Sequence, residues 1–460
     1  MINMDLRKYK ELFKGYTELR VQNNSIIKIG FINGDLVTNV KSSTSGVSSR
    51  ANIEGSWGFA SNSNISDDSI REIITMAREN GELLNRKERK IGTNLQVSSY
   101  AVEKFFGTKK RKCTQREIID YLKELDNYII TKYKNLEGRQ VYFNNLTMEK
   151  NLLTSSDAQL YSFVPRSMIY ITLIGKDKDG NPIENMELFG GLGDFEDLFT
   201  NPEQLYESID NMYKQLMDQK TAVYADAGLK ECIIAPEMTG ILAHEAIGHT
   251  TEADFVLSGS IAGTCLNETV ASPIVTLKDF AHSYDQKNCP IPMYIDDEGT
   301  TCQDVTIIEN GVLKGYMHNK SSANMFNVAP TGNGRAYMFS DEPLIRMRNT
   351  AILPGKDKLK DIIASIEDGY YLLKVGNGQA DATSEFMFGV PMGYEIKNGK
   401  LGRAIKNTTV SGVAFNVLKT VTMVSDEFTW VCGGMCGKKQ PIPVGMGGPS
   451  IKCKINIGGK

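Results

Sequence analysis

The pattern of predicted secondary structure changes near residue 224, and this change constrains the fold. Before it, alternating polar and apolar runs are interleaved with long amphipathic helical patterns. After Ala227-Gly228, short β-rich runs are broken by Gly, Asn and Asp. This order predicts an α+β chain: an N-terminal domain of mixed strands and amphipathic helices over residues 1–223, and a β-rich C-terminal domain over residues 224–460.

Local signals in the first half are specific. Asn33-Gly34 and Glu54-Gly55 stand between strand-like runs and predict two hairpins. Ser66 precedes apolar residues at positions 70, 73, 74 and 77, which is the spacing of one helix face. Thr114 and Glu117 form a capping-box signature before a second helix. Both helices are expected to pack one face on a sheet.

Composition excludes several classes of protein. Hydrophobic residues make up 41% and charged residues 23% of the chain, which fits a soluble globular protein. The formal charge of −3 provides no excess of cations for nucleic acid, and the basic run at 109–112 is expected to be a solvated loop. We see neither a membrane-length apolar run nor a secretory signal, and expect a cytoplasmic protein with no membrane partner.

The candidate site rests on two of only four histidines. His244, Glu245 and His249 form an H-E-x-x-x-H pattern, one residue longer than the H-E-x-x-H helix motif of zinc hydrolases. A spacing of five places the two imidazoles about 140° apart on a regular α-helix. Binding one metal ion therefore requires a π-bulge or an unwound turn, which Gly248 would facilitate.

The pattern leaves alternatives open. His244 and His249 are equally well read as ordinary helix residues, one in the core and one at the surface. If they do bind a metal, a third ligand is required, and Glu252, Asp254 and a cysteine thiolate all have suitable chemistry.

A glycine-rich segment near the C-terminus offers such a thiolate. It carries Cys432 and Cys436, and Lys438 and Lys439 beside Cys436 favour a low thiol pKa. The other interpretation is a surface loop with two inert cysteines. A further acidic run, residues 296–298, is interpreted as a solvated or paired turn rather than as a cation site.

Ordered sequence blocks along the whole chain resemble the TldD branch of the TldD/PmbA family, once called modulators of DNA gyrase and understood as zinc metallopeptidases. Besides the histidine motif, the blocks are ELR at 18–20, GSWGFA at 55–60, ASPIVTLKD at 271–279, IDDEG at 295–299, IENGVLKG at 308–315, PTGNGR at 330–335, RMRNT at 346–350 and GYEIKNG at 393–399. The loop after Cys436 is one residue shorter than is usual in the family.

The resemblance implies one zinc ion per chain, held by His244, His249 and Cys436, with Glu245 as general base. It also implies that small or unfolded peptides are the substrates, and that the chain forms a dimer with itself or with a PmbA/TldE-like subunit. Substrate-binding residues stay unknown at this stage. The alternative function is a non-catalytic regulatory binding protein whose metal site is structural, which would normally have four protein ligands.

Overall fold

The computed structural model describes residues 4–88 and 95–458, and its first half is built on one sheet of long strands. The strands are β1 (Tyr16–Ile32), β2 (Asp35–Ile53), β3 (Ser56–Asn62), β4 (Ala101–Phe105), β5 (Gly138–Thr154), β6 (Gln159–Lys176) and β7 (Pro182–Leu192). Their order is β3-β2-β1-β5-β6-β4, and β7 pairs with a later stretch of β6 than β4 does.

Both predicted hairpins are confirmed. Asn33 and Gly34 have φ values of 53° and 95°, and Glu54 and Gly55 have values of 50° and 94°. Two consecutive residues in the left-handed region match the twist of the strands that they join, which explains the Asn-Gly and Glu-Gly pairs.

The predicted helices α1 and α2 are also confirmed. The helical segments of the first half are a 3-10 turn (Leu6–Leu12), α1 (Asp67–Glu88), α2 (Gln115–Lys132), α3 (Phe195–Leu198), a 3-10 turn (Pro202–Leu205) and α4 (Tyr206–Gln219). The Ser69 N–H donates to Ser66 Oγ at the start of α1, and Thr114 and Glu117 make both bonds of a capping box at the start of α2.

The two faces of the long sheet differ in chemistry. Odd-numbered residues of β1, such as Leu19 and Phe31, are buried in the apolar clusters that also contain the inner faces of α1, α2 and α4. Even-numbered residues such as Glu18 and Arg20 are buried too, and they point to the opposite face because side chains alternate along a strand. That polar face contacts the second half of the chain.

The second half contains two larger sheets and short ribbons. Its strands are β8 (Gly228–Ile234), β9 (Leu277–Phe280), β10 (Ser283–Tyr284), β11 (Lys287–Asn288), β12 (Val305–Glu309), β13 (Val312–Leu313), β14 (Gly334–Arg335), β15 (Leu344–Ile345), β16 (Asn349–Ile352), β17 (Asp368–Lys374), β18 (Gly378–Ala380), β19 (Glu385–Val390), β20 (Met392–Lys397), β21 (Lys400–Ala404), β22 (Thr408–Val413), β23 (Met423–Val424), β24 (Thr429–Cys436), β25 (Ile442–Gly448) and β26 (Ile451–Ile457). One sheet has the order β13-β12-β9-β16-β25-β24. The other has the order β18-β19-β22-β26-β8-β17-β20-β21, with β23 also paired to β26.

The helix that carries the histidine motif lies between these two sheets. The helical segments here are α5 (Pro236–Leu242), a π-helix (Ala243–Gly248), a 3-10 turn (His249–Thr251), α6 (Ala253–Leu257), a 3-10 turn (Ile261–Thr264), α7 (Lys320–Phe326), α8 (Leu359–Ala364) and α9 (Ala414–Lys419). Helix α5 packs against β16, β24 and β25 of one sheet and β17 of the other. A Cβ on Gly240 would lie 2.8 Å from the backbone nitrogen of Gly447, so glycine permits this close packing. The fold is α+β, as predicted.

Buried charges join the two halves. Lys150 of β5 donates to Asp297 at 2.6 Å, and Arg50 of β2 donates to Glu298 at 2.5 Å. Both carboxylates are buried, so residues 296–298 are a paired turn, as the sequence suggested. The division of the chain at residues 223 and 224 stays a prediction. Within the described residues, no helix combines the length and apolar character needed to cross a membrane.

Candidate metal centre

The histidine motif adopts the backbone that its spacing requires. Residues Ala243–Gly248 form a π-helix, and the His249 N–H donates to the carbonyl of His244 five residues earlier. This wider turn brings residues five apart to the same side, and the two imidazole centroids lie 5.2 Å apart. The prediction of a π-bulge is confirmed.

Gly248 has a different role from the one expected. Its φ of −57° is ordinary for a helix, so the turn does not exploit the conformational freedom of glycine. A Cβ at this position would lie 2.0 Å from Sδ of buried Met347. Glycine is needed there for space against the neighbouring sheet.

The two histidines of this turn meet a cysteine that lies 187 residues after His249 in the sequence. His244, His249 and Cys436 each offer a ligand atom, and these atoms lie within 4.8 Å of one another. Cys436 Sγ is 3.3 Å from His249 Nε2. Two imidazoles and a thiolate are a donor set that zinc accepts, and they leave a fourth tetrahedral position free for water.

The buried ring of His244 has the surroundings of a metal ligand. Its side chain is 0% exposed, and among the described residues neither ring nitrogen has a hydrogen-bond partner. A buried imidazole without partners is costly, and a metal ion would satisfy one of its nitrogens.

Cys436 is held in place by a buried arginine. Arg346 donates to the carbonyls of Cys436 and Gln440, both at 2.7 Å, and to that of Lys438 at 3.0 Å. One planar guanidinium therefore fixes the loop that follows β24 and, through it, the position of the thiolate.

A buried carboxylate, that of Glu252, orients His249. The Nδ1 atom of His249 lies 3.0 Å from Glu252 Oε2, and Glu252 is 0% exposed. Lys438 Nζ binds the same carboxylate oxygen at 3.0 Å and also binds Asp254 at 2.6 Å. An ionised Glu252 accepts a hydrogen bond from Nδ1–H, so Nε2 is the ring nitrogen that faces Cys436 and that would bind a metal after losing its own proton.

The electrostatics favour the ligating form of the thiol. Burial raises the pKa of Cys436, but interactions with His244 and His249 outweigh it and lower the pKa to about 3. For His249, burial lowers the pKa, but the Glu252 charge and the bonds from Cys436 and Glu252 raise it to about 10. A low thiol pKa was predicted, and the pKa is lowered; the two histidines are its main cause. The ammonium of Lys438, which the prediction invoked, is bound by Glu252 and Asp254.

Glu245 lies at the open side of this group. Its Oε2 is 3.8 Å from His249 Nε2, and 36% of its side chain is exposed. It lines a cavity of about 340 Å3 together with His249, Phe255, Asp381 and Lys438. A carboxylate in this position has access both to the ligand atoms and to a molecule in the cavity.

The structure separates the alternative ligands. Glu252 and Asp254 bind Lys438, and neither belongs to the group of converging ligand atoms, which is His244, His249 and Cys436. Cys432 lies beside Gly191 of the first half, and a Cβ on that glycine would be 3.1 Å from its sulfur. The roles of Arg346 and Lys438 were missed, although Arg346 belongs to a recognised sequence block.

Two histidines, one fully buried and one partly exposed, with a cysteine and an adjacent carboxylate beside a cavity are the arrangement of a metal-dependent hydrolase. Comparisons with known proteins agree with this class. The family model described as PmbA/TldA metallopeptidase C-terminal domain matches residues 228–459, and the one described as PmbA/TldA metallopeptidase domain 1 matches residues 17–81. The chain belongs to the PmbA/TldD metallopeptidase family.

Full-length relatives and a solved structure show the same likeness. The chain is 34% identical over 454 residues to a metalloprotease TldD homolog of Buchnera aphidicola, covering 95% of this chain and 89% of the relative. It is 28% identical to a zinc metalloprotease TldD homolog of Saccharolobus solfataricus, covering 90% of each. The crystal structure of TldE from Thermococcus kodakarensis superposes with a TM-score of 0.74 at 17% identity, covering 97% of this chain and 98% of that one, and shows the shared fold.

Proposed function

We propose that the protein is a zinc-dependent peptidase that hydrolyses peptide bonds of small or unfolded peptides. The observation that carries the proposal is the meeting of His244, His249 and Cys436, whose ligand atoms lie within 4.8 Å around an imidazole with no other partner. The name of the Saccharolobus relative supports zinc as the metal.

The residues of the site have separate roles in metal binding and proton transfer. His244, His249 and Cys436 would hold the zinc, which when bound polarises a carbonyl and makes its water acidic. Glu245 takes a proton from the attacking water and returns it to the amine nitrogen as the carbon–nitrogen bond breaks. Glu252 keeps the Nδ1 proton of His249 in place, and Lys438 neutralises that buried carboxylate.

A neighbouring strand edge supports extended peptides as the substrates. Strand β18 is the end strand of its sheet and finishes at Ala380, and Ala380 and Asp381 line the cavity beside Glu245. An extended peptide that pairs with this edge would be bound through its main chain, with little demand on its sequence. A compact native domain cut as fast as its unfolded form would contradict this part of the proposal.

The assembly is also part of the proposal. We infer a dimer, formed with a second copy of the chain or with a TldE-like subunit, and the shared fold with TldE supports the second arrangement. Light scattering of the chain alone and mixed with such a subunit distinguishes the two. A monomer in both samples would contradict a dimer.

The decisive experiment compares the wild type with Glu245→Gln. Elemental analysis should give about one zinc per chain in both proteins, because Glu245 is not among the ligands. Mass spectrometry of a pool of unstructured peptides should show cleavage only by the wild type. Full activity in Glu245→Gln would refute the proposed role of Glu245. Absence of cleavage by zinc-loaded wild type, with and without the partner, would favour a regulatory binding protein with a structural metal.

A further inference from the structure

A second cavity lies between the two halves of the chain, at a distance in sequence from the histidine motif. Its volume is about 70 Å3. Its apolar walls include Met148, Leu160, Val164 and Ile291, and its polar lining includes Lys104, Lys150, Arg166, Arg335 and Asp297. The space suffices for about two water molecules at their volume in the liquid, or for an organic molecule of a few heavy atoms.

Arg166 of β6 is the unusual group in this cavity. It is 2% exposed, and its Nε and Nη1 atoms have no hydrogen-bond partner among the described residues. Its Nη2 donates a hydrogen bond to the carbonyl of Cys432 in the second half of the chain. Burial lowers the pKa of Arg166 to about 10, so the side chain stays charged at neutral pH.

No carboxylate in the described part of the chain neutralises this charge. The nearest acidic group in the cavity wall is Asp297, which Lys150 binds through both carboxylate oxygens, at 2.7 and 2.6 Å. Arg335 is engaged with backbone carbonyls, including that of Pro443 at 2.7 Å. The lining therefore carries four cations against one carboxylate that is already paired.

The remaining cation of the lining is Lys104 of β4. Its Nζ lies 4.1 Å from the ring centre of Tyr294, which lines the same cavity. A buried cation is normally paired, since an uncompensated charge is strongly disfavoured in a protein interior. The apolar walls disfavour a fully hydrated ion such as phosphate and favour an anion with an aliphatic body.

We propose that this cavity binds a small aliphatic carboxylate of about two to four carbons, with the carboxylate on Arg166 and Lys104 and the alkyl group against Met148, Leu160 and Val164. The site is separate from the metal centre. It shares with that centre only the β24–β25 hairpin, which contributes Ile442 and Pro443 to the cavity wall and Cys436 to the metal ligands.

The test is calorimetric titration of the full-length, zinc-loaded protein with butyrate, with its neutral analogue butyramide and with chloride. Butyrate should bind with one site per chain, and neither control should bind. Arg166→Met should weaken butyrate binding at least tenfold, and Lys104→Met should weaken it severalfold. Arg116→Met, which removes a cation from an 81% exposed side chain, should change nothing.

Each other outcome overturns the proposal. Absence of butyrate binding would mean that the cavity holds only water. Equal binding of butyramide, or full binding by Arg166→Met and Lys104→Met, would place the site elsewhere. Folding of the variants is checked by their apparent melting temperatures. Arg166→Met should not melt below the wild type in carboxylate-free buffer, because it removes a buried charge that has no counter-charge.

Discussion

The Nδ1 atom of His249 and the Oε2 atom of the buried Glu252 lie 3.0 Å apart, and Lys438 binds the same oxygen. This contact decides which ring nitrogen faces Cys436. It also gives Glu252, which the sequence offered as a possible metal ligand, a different role: it binds the Nδ1 side of His249. A supporting carboxylate of this kind fixes the tautomer of a ligand and raises its basicity.

Glu252→Gln should therefore weaken zinc binding by about 10–100-fold without removing a ligand. The amide keeps the shape of the side chain but loses the charge that holds the Nδ1 proton and Lys438. Competition with a fluorescent chelator measures the change in Kd. Glu203→Gln, on an exposed side chain, is the matched control and should bind zinc like the wild type. Equal affinities of the two variants would show that Glu252 does not position His249.

The two cysteines of β24 give a second prediction. Cys436→Ser should lower the zinc content well below that of the wild type, because serine oxygen is a poor substitute for thiolate. Cys432→Ser should leave the zinc content unchanged, because Cys432 lies against Gly191 and away from the histidines. Elemental analysis of both variants after dialysis makes the comparison. If Cys432→Ser lost zinc and Cys436→Ser kept it, the ligand would be Cys432 and not Cys436.

Sequence reasoning could not separate these cysteines from residue spacing alone. Residues four apart on a regular strand point to the same face, so Cys432 and Cys436 are equivalent by pattern. The pairing of β24 with β25 shifts by one residue between Val431 and Gly434, and this bulge turns the later residues to the other face. The resemblance to the family selected Cys436. The geometry depends on a bulge at Gly433-Gly434, and glycines inside a strand are compatible with a bulge but do not fix its register.

Other parts of the molecule were predictable because their causes are local. The left-handed turns at residues 33–34 and 54–55 and the caps of α1 and α2 depend on neighbouring residues only. The spacing of His244 and His249 required a π-bulge or an unwound turn if both bind one metal, and the turn is a π-helix. The order of the two C-terminal sheets was not predictable in this way. It depends on parallel pairs between strands far apart in sequence, such as β8–β17, which pairs Ile233 with Tyr371, and β16–β25, which pairs Asn349 with Gly445.

Arg346 was missed for the same reason, and it gives a third prediction. Its guanidinium donates to three carbonyls of the segment 436–440, some 90 residues away in sequence. Arg346→Lys keeps the charge but cannot reach all three carbonyls with one flat group. We expect zinc affinity to fall about tenfold, with a secondary structure content like that of the wild type. Chelator competition and circular dichroism check both. Unchanged zinc affinity would mean that β24 alone positions Cys436.

A fourth prediction concerns pH and the charges between the two halves. Burial and the Glu298 charge, opposed by Arg50, raise the pKa of Glu18 from 4.5 to about 8. The folded state therefore holds the Glu18 proton more tightly than the unfolded state does. The resulting stabilisation is complete below the unfolded pKa of 4.5 and is lost as pH rises through about 8.

Glu18→Gln isolates that contribution, because glutamine mimics the protonated carboxyl and does not titrate. The apparent melting temperature of the wild type, relative to that of Glu18→Gln, should fall between about pH 5 and about pH 9. Thermal unfolding at both pH values measures the difference. A difference that stays constant, or that grows in favour of the wild type at high pH, would show that Glu18 is ionised in the folded protein.

The packing of Gly248 gives the last prediction. In Gly248→Ala the new Cβ would begin 2.0 Å from Met347 Sδ, and Met347 is itself fully buried between the sheets. Overpacking of this kind costs about 1–3 kcal/mol, while alanine regains about 1 kcal/mol of helix propensity over glycine. We expect a net loss, seen as an apparent melting temperature a few degrees lower, and weaker zinc binding because the π-helix must shift. Gly437→Ala, where no atom lies within 4 Å of the new Cβ, is the matched control and should behave like the wild type. If Gly248→Ala melts at or above the wild-type temperature and binds zinc equally well, the close approach to Met347 does not constrain the metal-site turn.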